Sequence, residues 1–474
     1  MATTHYLSPV DHIFAPFNPC YCLCFHSRRP LELVPHIRQG IDKLLTRYPF
    51  IAGEVVPCSQ EAQCADHKPA NAEGLLCIRQ PSISDGRGPM LLVREQPNLS
   101  IDAISSVQFR TGVDDLLLAK QLTAVPLMSS PSRPRYVLQF AATVARDGLA
   151  LAMSFSHLVF DATGAAHLLQ SLAECCRGDQ FQPCHLPDQT LRRELWTVKS
   201  DSKHEAEFER AYTIPDNAPP PPSDAQSIVD KMAETTTVWR LRIPARKVRS
   251  LKAACTKLLR DRVAETDGQG ATYVSSLDVL TDYLAYCLRK GAERDSEPTG
   301  IGIPVNLRER LNPAWPNAYM GNLVTYATSA SRELGLAPED LVRVYGIARE
   351  IRKTLLTFND GYIRSFVSWL SAQGNLNQVG IQFPAINFTS WRHLNLYELD
   401  FGGPLGTADE IQPLGLTASC GLIMPKRNPA FKGIAGGTVS AEEDELDWEV
   451  FLYLNDEEYS RLREDGLVHA LAED

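Results

Sequence analysis

The segment Leu149-Ala150-Leu151-Ala152-Met153-Ser154-Phe155-Ser156-His157-Leu158-Val159-Phe160-Asp161-Ala162-Thr163-Gly164 changes period part-way along. At its start the large side chains of Leu149, Leu151, Met153 and Phe155 alternate with Ala150, Ala152, Ser154 and Ser156, a period of two that predicts a β-strand. Past Gly164, the residues Ala165, Leu168, Leu169, Leu172 and Cys176 recur at helical spacing. Strand, short loop and helix in succession are the building unit of an α/β fold. His157 has the parity of the large strand residues, so a strand that persisted to it would aim the imidazole inward. Asp161 follows four residues later.

Similar units lie on both sides. Leu31, Val34, Ile37, Ile41, Leu44 and Leu45 predict a helix opened by Pro30 and stopped at Tyr48-Pro49, followed by a short strand from Phe50 to Val56. Tyr136 to Ala145 and Val238 to Ile243 are β-rich. Val274, Leu277, Leu280, Leu284 and Leu288 mark a second strong helix, and Trp448, Val450, Leu452 and Leu454 alternate as a late strand. Between Gly178 and Thr237 the pattern dissolves into charge and proline, including the run Pro219 to Pro222, with a weak helical stretch from Glu205 to Tyr212. A stretch this long and irregular reads as a crossover. The expected organisation is an N-terminal lobe over 1–190, a crossover over 191–236 and a C-terminal lobe over 237–474, with no internal repeat.

The 474 residues are 44% hydrophobic and 22% charged, which excludes disorder, collagen and coiled coil as whole-chain descriptions. A net charge of -10 without a basic stripe argues against nucleic-acid binding. The apolar run from Gly148 to Phe155 falls far short of the roughly 20 residues that cross a bilayer, and the polar start lacks a signal-peptide pattern, so a soluble cytoplasmic protein is expected. The 12 cysteines then read as thiols, with Cys20, Cys22 and Cys24 on one face of a strand.

A histidine near a strand end, with an ordinary pKa of about 6.5, suits proton abstraction from a hydroxyl at neutral pH. A core histidine bonded to backbone is the plain alternative. No Gly-x-Ser-x-Gly, Gly-x-Gly-x-x-Gly or Gly-x-x-x-x-Gly-Lys-Ser/Thr pattern supports a serine hydrolase, a dinucleotide site or a P-loop. His157, Asp161 and His167 straddle a strand-loop-helix junction instead of sharing a helix face, so no metal is expected.

His157-Leu158-Val159-Phe160-Asp161 resembles the His-x-x-x-Asp motif of the BAHD acyltransferases. Asp400-Phe401-Gly402-Gly403-Pro404 is similar to a divergent Asp-Phe-Gly-Trp-Gly signature, preceded by Asn387-Phe388-Thr389-Ser390-Trp391 and Leu396-Tyr397-Glu398. Pro304-Val305-Asn306-Leu307-Arg308-Glu309-Arg310-Leu311 leading to Tyr319-Met320-Gly321-Asn322, Leu7-Ser8-Pro9-Val10-Asp11 and Tyr48-Pro49-Phe50-Ile51-Ala52-Gly53 complete the resemblance in family order across nearly the whole chain. Gly403 and Pro404 replace the signature's Trp and final Gly. The proline-rich crossover is closer to fungal members that resemble trichothecene acetyltransferases.

The resemblance implies a chloramphenicol acetyltransferase-like α/β fold: two similar lobes of mixed sheet and helices around a channel. It implies acyl-CoA as co-substrate, acetyl-CoA favoured, with no tightly bound cofactor, and a hydroxylated small molecule as acceptor, in a chain read as a monomer. His157 becomes the general base, with Thr389 and the Trp391 N–H as donors to the developing oxyanion. Asp161 pairs with Arg308 in support, and Asp400, Phe401 and Gly402 are structural. Within the basic stretch Arg246 to Arg262, Lys252 and Lys257 are the candidate CoA contacts, joined by Ser275 and Ser276 at the next helix start. Rival readings are a condensation domain, disfavoured by Ser156 before His157 and Ala162 after Asp161, and a non-catalytic binding protein on the same scaffold.

Overall fold

The computed structural model describes residues 4–58, 74–80, 90–129, 134–179, 188–200, 203–214, 225–263, 273–289, 300–316, 318–329, 340–414, 420–427 and 446–472. Strand Gly148–Phe155 is buried on both faces, and its alternation sorts side chains by size. Leu149, Leu151, Met153 and Phe155 join Ile37, Ile41, Leu44, Leu168 and Leu172 from the helices Leu33–Arg47 and Ala162–Arg177 in the main N-terminal core. Ala150 and Ala152 face Cys20, Cys22, Cys24, Ile101 and Leu122, where the lack of bulk lets a second helical layer approach. The three alternating cysteines are therefore core thiols.

This strand is central in a five-stranded sheet ordered Glu410–Leu414, Cys20–His26, Gly148–Phe155, Leu138–Ala145, Leu91–Gln96. A seven-stranded mixed sheet follows the order Val324–Ser329, Ile301–Asn306, Ile386–Ser390, Cys420–Ile423, Trp448–Asn455, Thr236–Ile243, Phe109–Thr111. One face of it, through Ile386, Phe388, Ile423, Val450 and Leu452, buries against the helices Ala245–Val263, Ser276–Arg289 and Asp340–Thr357. The other face sends Leu422, Phe451 and Tyr453 into the N-terminal core.

Two edge strands depart from the division expected at 190 and 237. Glu410–Leu414 pairs with Cys20–His26, matching Glu410 to Cys24, and Phe109–Thr111 pairs with Thr236–Ile243, matching Phe109 to Trp239. The halves thus exchange strands, which a period-two pattern cannot reveal because it carries no information on partner choice. The crossover is also more ordered than expected. Helices Asp188–Thr197, Glu205–Ala211 and Ala225–Glu234 lie within or across it, while the Pro219 to Pro222 run lies outside the described residues. Leu191, Leu195 and Phe208 enter a third core, where Phe208 meets Tyr362, Phe366 and Trp369 at centroid distances of 5.3, 5.5 and 5.4 Å. Their partners are remote in sequence, so local periodicity stays faint. Smaller differences occur where Pro30–Glu32 and Pro49–Ala52 form 3-10 turns, so the helix begins at Leu33 and the strand is Glu54–Pro57. Among the described residues no helix is long and apolar enough to cross a membrane.

Candidate active site

The strand stops at Phe155, because the amides of Val159 and Phe160 donate to the Ser156 carbonyl at 2.9 and 3.1 Å and turn the chain. His157 sits in this turn and is half-buried, not aimed into the core as an uninterrupted strand would place it. Its amide donates to the Phe17 carbonyl at 2.9 Å, and the Phe14 ring stacks on the imidazole at 4.3 Å and 18°. Nδ1 is shut off from solvent with no partner at hydrogen-bonding geometry, so Nε2 is the nitrogen the ring presents. Burial lowers the His157 pKa and outweighs the raising effects of its own carbonyl, Asp161, Asn322 and Asp11.

Asp161 caps the next helix. Its Oδ1 accepts from the Gly164 amide at 2.8 Å, and the carboxylate takes both arms of Arg308 at 2.9 and 3.0 Å and the Leu323 amide at 3.0 Å. Arg308 is fully buried and also donates to the Tyr319 and Gly321 carbonyls at 3.0 and 2.9 Å. The carboxylate is saturated by protein groups, so it holds the turn from its far end. Gly164 is required for the close approach: a Cβ there would stand 1.9 Å from the Met320 carbonyl oxygen.

A cavity of about 1160 Å³ opens beside this helix and is lined by Thr163, His167, Pro304, Asn306, Arg310, Arg352, Arg392 and Trp448, together with Lys252, Ser275 and Ser276. His157, Thr389, Trp391 and Lys257 are not among its lining residues. Lys257 lies in a neighbouring groove of about 560 Å³ with Arg249, Lys252 and Arg260, so Lys252 belongs to both depressions. At the helix start, Ser275 Oγ accepts from the Asp278 amide at 3.1 Å and Asp278 Oδ2 accepts from the Ser275 amide at 2.7 Å. Arg352 neutralises Asp278 at 2.7 Å, and Arg392 donates to the Asp447 and Leu446 carbonyls at 2.7 and 2.8 Å while lying over the Trp448 ring at 4.2 Å. Burial lowers the pKa of His167, with nearby Arg308 acting in the same direction.

Thr389 is half-buried on strand Ile386–Ser390, and Trp391 is buried edge-on to Tyr21 at 4.7 Å. Asp400 and Gly402 lie in a tight turn and do not line either depression, although Leu399 just before them lines the larger one. Asp400 Oδ1 accepts from the Gly402 amide at 2.8 Å, Arg177 donates to the Asp400 carbonyl, and His36 bonds the Phe401 carbonyl at 2.9 Å. Gly402 and Gly403 have φ of 67 and 52°, a conformation that favours glycine and accounts for Gly403 where the family signature has Trp. Sequence reasoning gave no role to Asp11, Asn322, Arg192 or Phe14. Ser8-Pro9-Val10-Asp11 did carry a capping-box pattern, which the Ser8 and Asp11 bonds fulfil; Arg192, in a charged stretch without clear periodicity, carried no such signal.

Over residues 108–407 the chain matches the Transferase family, and over residues 17–176 the trichothecene 3-O-acetyltransferase-like N-terminal domain. The chain belongs to the BAHD-type Transferase family. It is 40% identical to O-acetyltransferase andG of Emericella variicolor, over 99% of this chain and 98% of that protein. It is 31% identical to O-acetyltransferase pyr7 of Aspergillus fumigatus, over 97% of this chain and 91% of that protein. Its fold is similar to that of F. graminearum TRI101 complexed with ethyl coenzyme A, with a TM-score of 0.74 at 17% identity and 99% coverage of each chain. This family member is a CoA-dependent acyltransferase.

Proposed function

We propose that the chain moves an acetyl group from acetyl-CoA to a hydroxyl of a fungal secondary metabolite, with His157 as general base in a ternary complex. The observation that carries the reading is the His157 turn: a half-buried imidazole with a lowered pKa, presented through Nε2 and clamped by the Asp161–Arg308 pair. The acceptor O–H gives its proton to Nε2 as its oxygen attacks the thioester carbonyl. The C–S bond then breaks and the proton passes from the imidazolium to the leaving CoA sulfur. Thr389, the better exposed donor, and the Trp391 N–H stabilise the carbonyl oxygen, a contribution of about 3 kcal/mol for a well-aligned donor. Lys252 and Lys257 meet the phosphates of CoA, with the Ser275 and Ser276 hydroxyls beside them, while Asp161, Arg308, Asp400 and Gly402 support the site structurally.

The relatives named O-acetyltransferases favour a hydroxyl acceptor and an acetyl donor. We read the chain as a cytoplasmic monomer that acts on small molecules without nucleic acid or membrane, built from lobes over 1–190 and 237–474 that are joined by 191–236 and exchange the edge strands Phe109–Thr111 and Glu410–Leu414. A screen of acetyl-CoA and longer acyl-CoAs against hydroxylated metabolites, read by mass spectrometry, tests the assignment. Acetylated product that disappears with His157→Ala supports it, and wild-type turnover in that variant overturns it.

A further inference from the structure

Asp161 and Arg308 hold only the far end of the turn that presents His157. The near end is held by three side chains from three separate parts of the chain. Asp11, in the turn Pro9–Ile13, is fully buried and ion-paired with the equally inaccessible Arg192 of helix Asp188–Thr197. Asp11 also accepts from the Ser8 amide at 2.7 Å, and from the backbone and side-chain amides of Asn322 at 2.9 and 2.8 Å. The Asn322 side chain then donates to the His157 carbonyl at 2.9 Å, and Arg192 donates to the Val159 carbonyl at 2.8 Å. Two alternate carbonyls of the His157–Asp161 turn are thereby tied to one buried charge pair.

The two clamps also share a wall. Arg192 and Arg308 lie over the same Tyr319 ring, at 5.9 and 5.7 Å from its centroid. Gly321, between Tyr319 and Asn322, leaves the space: a Cβ there would stand 2.2 Å from the Tyr319 hydroxyl oxygen and 3.0 Å from the Arg192 Cζ. A buried ion pair is a poor source of stability, since desolvation offsets its attraction, and its better-attested use is to fix one arrangement. The arrangement fixed here is the backbone beneath the imidazole.

We propose that Asn322, Asp11 and Arg192 form a positioning relay for His157, so that the segment between the lobes sets the aim of the base. The proposal rests on His157 being the base. Asn322 is the link to cut first, because its removal leaves the Asp11–Arg192 charges paired. In Asn322→Ala, kcat falls about 10- to 100-fold, the loss expected when a reacting group is displaced by an ångström or less, while KM for both substrates stays within about two-fold. In the His157→Ala background the same substitution changes the residual rate little, because no imidazole remains to be aimed.

Equal losses in both backgrounds, or a rise in KM without a fall in kcat, would overturn the relay. Full activity in His157→Ala would instead remove the base assignment, and is read independently of Asn322. A neutral replacement of the pair, Asp11→Asn with Arg192→Met, avoids leaving one buried charge alone. Loss of kcat at near-native melting temperature in that double variant supports the relay, and wild-type kcat in it overturns the part assigned to Asp11 and Arg192.

Discussion

Two histidines show how burial sets proton affinity for different purposes. His12 is buried, with Nδ1 bonded to the Ser8 carbonyl at 2.8 Å and Nε2 accepting from the Leu76 amide at 3.0 Å, an arrangement that fixes the neutral tautomer. Burial lowers its pKa, as it lowers that of His157. For each, the unfolded chain binds the proton more tightly than the folded one, so the stability contribution is complete above the unfolded value of about 6.5 and is lost as pH falls toward the lowered folded value. Melting temperature should therefore decline as pH drops below about 6.5, and His12→Gln should flatten that decline; an unchanged slope would remove His12 as its source. For His157 the same shift keeps Nε2 unprotonated at neutral pH. The acid limb of kcat/KM should fall below the ordinary imidazole value of about 6.5, and His157→Ala should lower kcat about 10²- to 10⁴-fold at unchanged CoA affinity. A limb centred above that value contradicts the desolvated environment described for the ring.

At the scale of elements, helix Ala162–Arg177 ties chemistry to architecture, since its first turn is capped by Asp161 and its Gly164 touches the Met320 carbonyl. Asp161→Ala leaves the fully buried Arg308 without its carboxylate and should destabilise the fold by about 3 to 5 kcal/mol, so a lowered melting temperature accompanies the lost activity. Equal stability with dead catalysis would mean that Asp161 serves the substrates directly. Gly164→Ala should cost both yield and activity, because the added carbon meets backbone and not a movable side-chain end. The strand and helix here were readable because their periods differ and Gly164 separates them. The turn that carries His157 was not, because it depends on Ser156 bonding to Val159 and Phe160, residues with no strong turn signal. Arg192 was invisible for a related reason: its partners Asp11 and Val159 are distant in sequence, and a charged residue in a charged stretch reads as solvated. The edge strands Phe109–Thr111 and Glu410–Leu414 were not read as strands at all, being only 3 and 5 residues long, and alternation would in any case specify a face and not a neighbour.

Across the whole molecule the decisive choice is between direct transfer and an acyl-enzyme, and the thiols permit a sharp test of it. An acyl-cysteine path needs a thiolate within reach of bound acyl-CoA. Burial pushes Cys20, Cys176, Cys255 and Cys420 up to about 12, which holds them protonated at neutral pH. Cys77 is lowered, chiefly by a hydrogen bond from the Cys58 thiol, but it packs with Tyr6 and Leu75 in a small cluster and does not line the large cavity. On the reading proposed above, His157, held between its two clamps, acts on the acceptor itself, which requires both substrates to be bound together. Initial-rate lines for acetyl-CoA and acceptor should intersect, incubation with acetyl-CoA alone should give no stable adduct of about 42 Da, and Cys77→Ser should keep its turnover. Parallel lines together with an adduct that Cys77→Ser abolishes would move the chemistry from His157 to the thiol, because a ping-pong path must store the acyl group on a nucleophile before the acceptor binds.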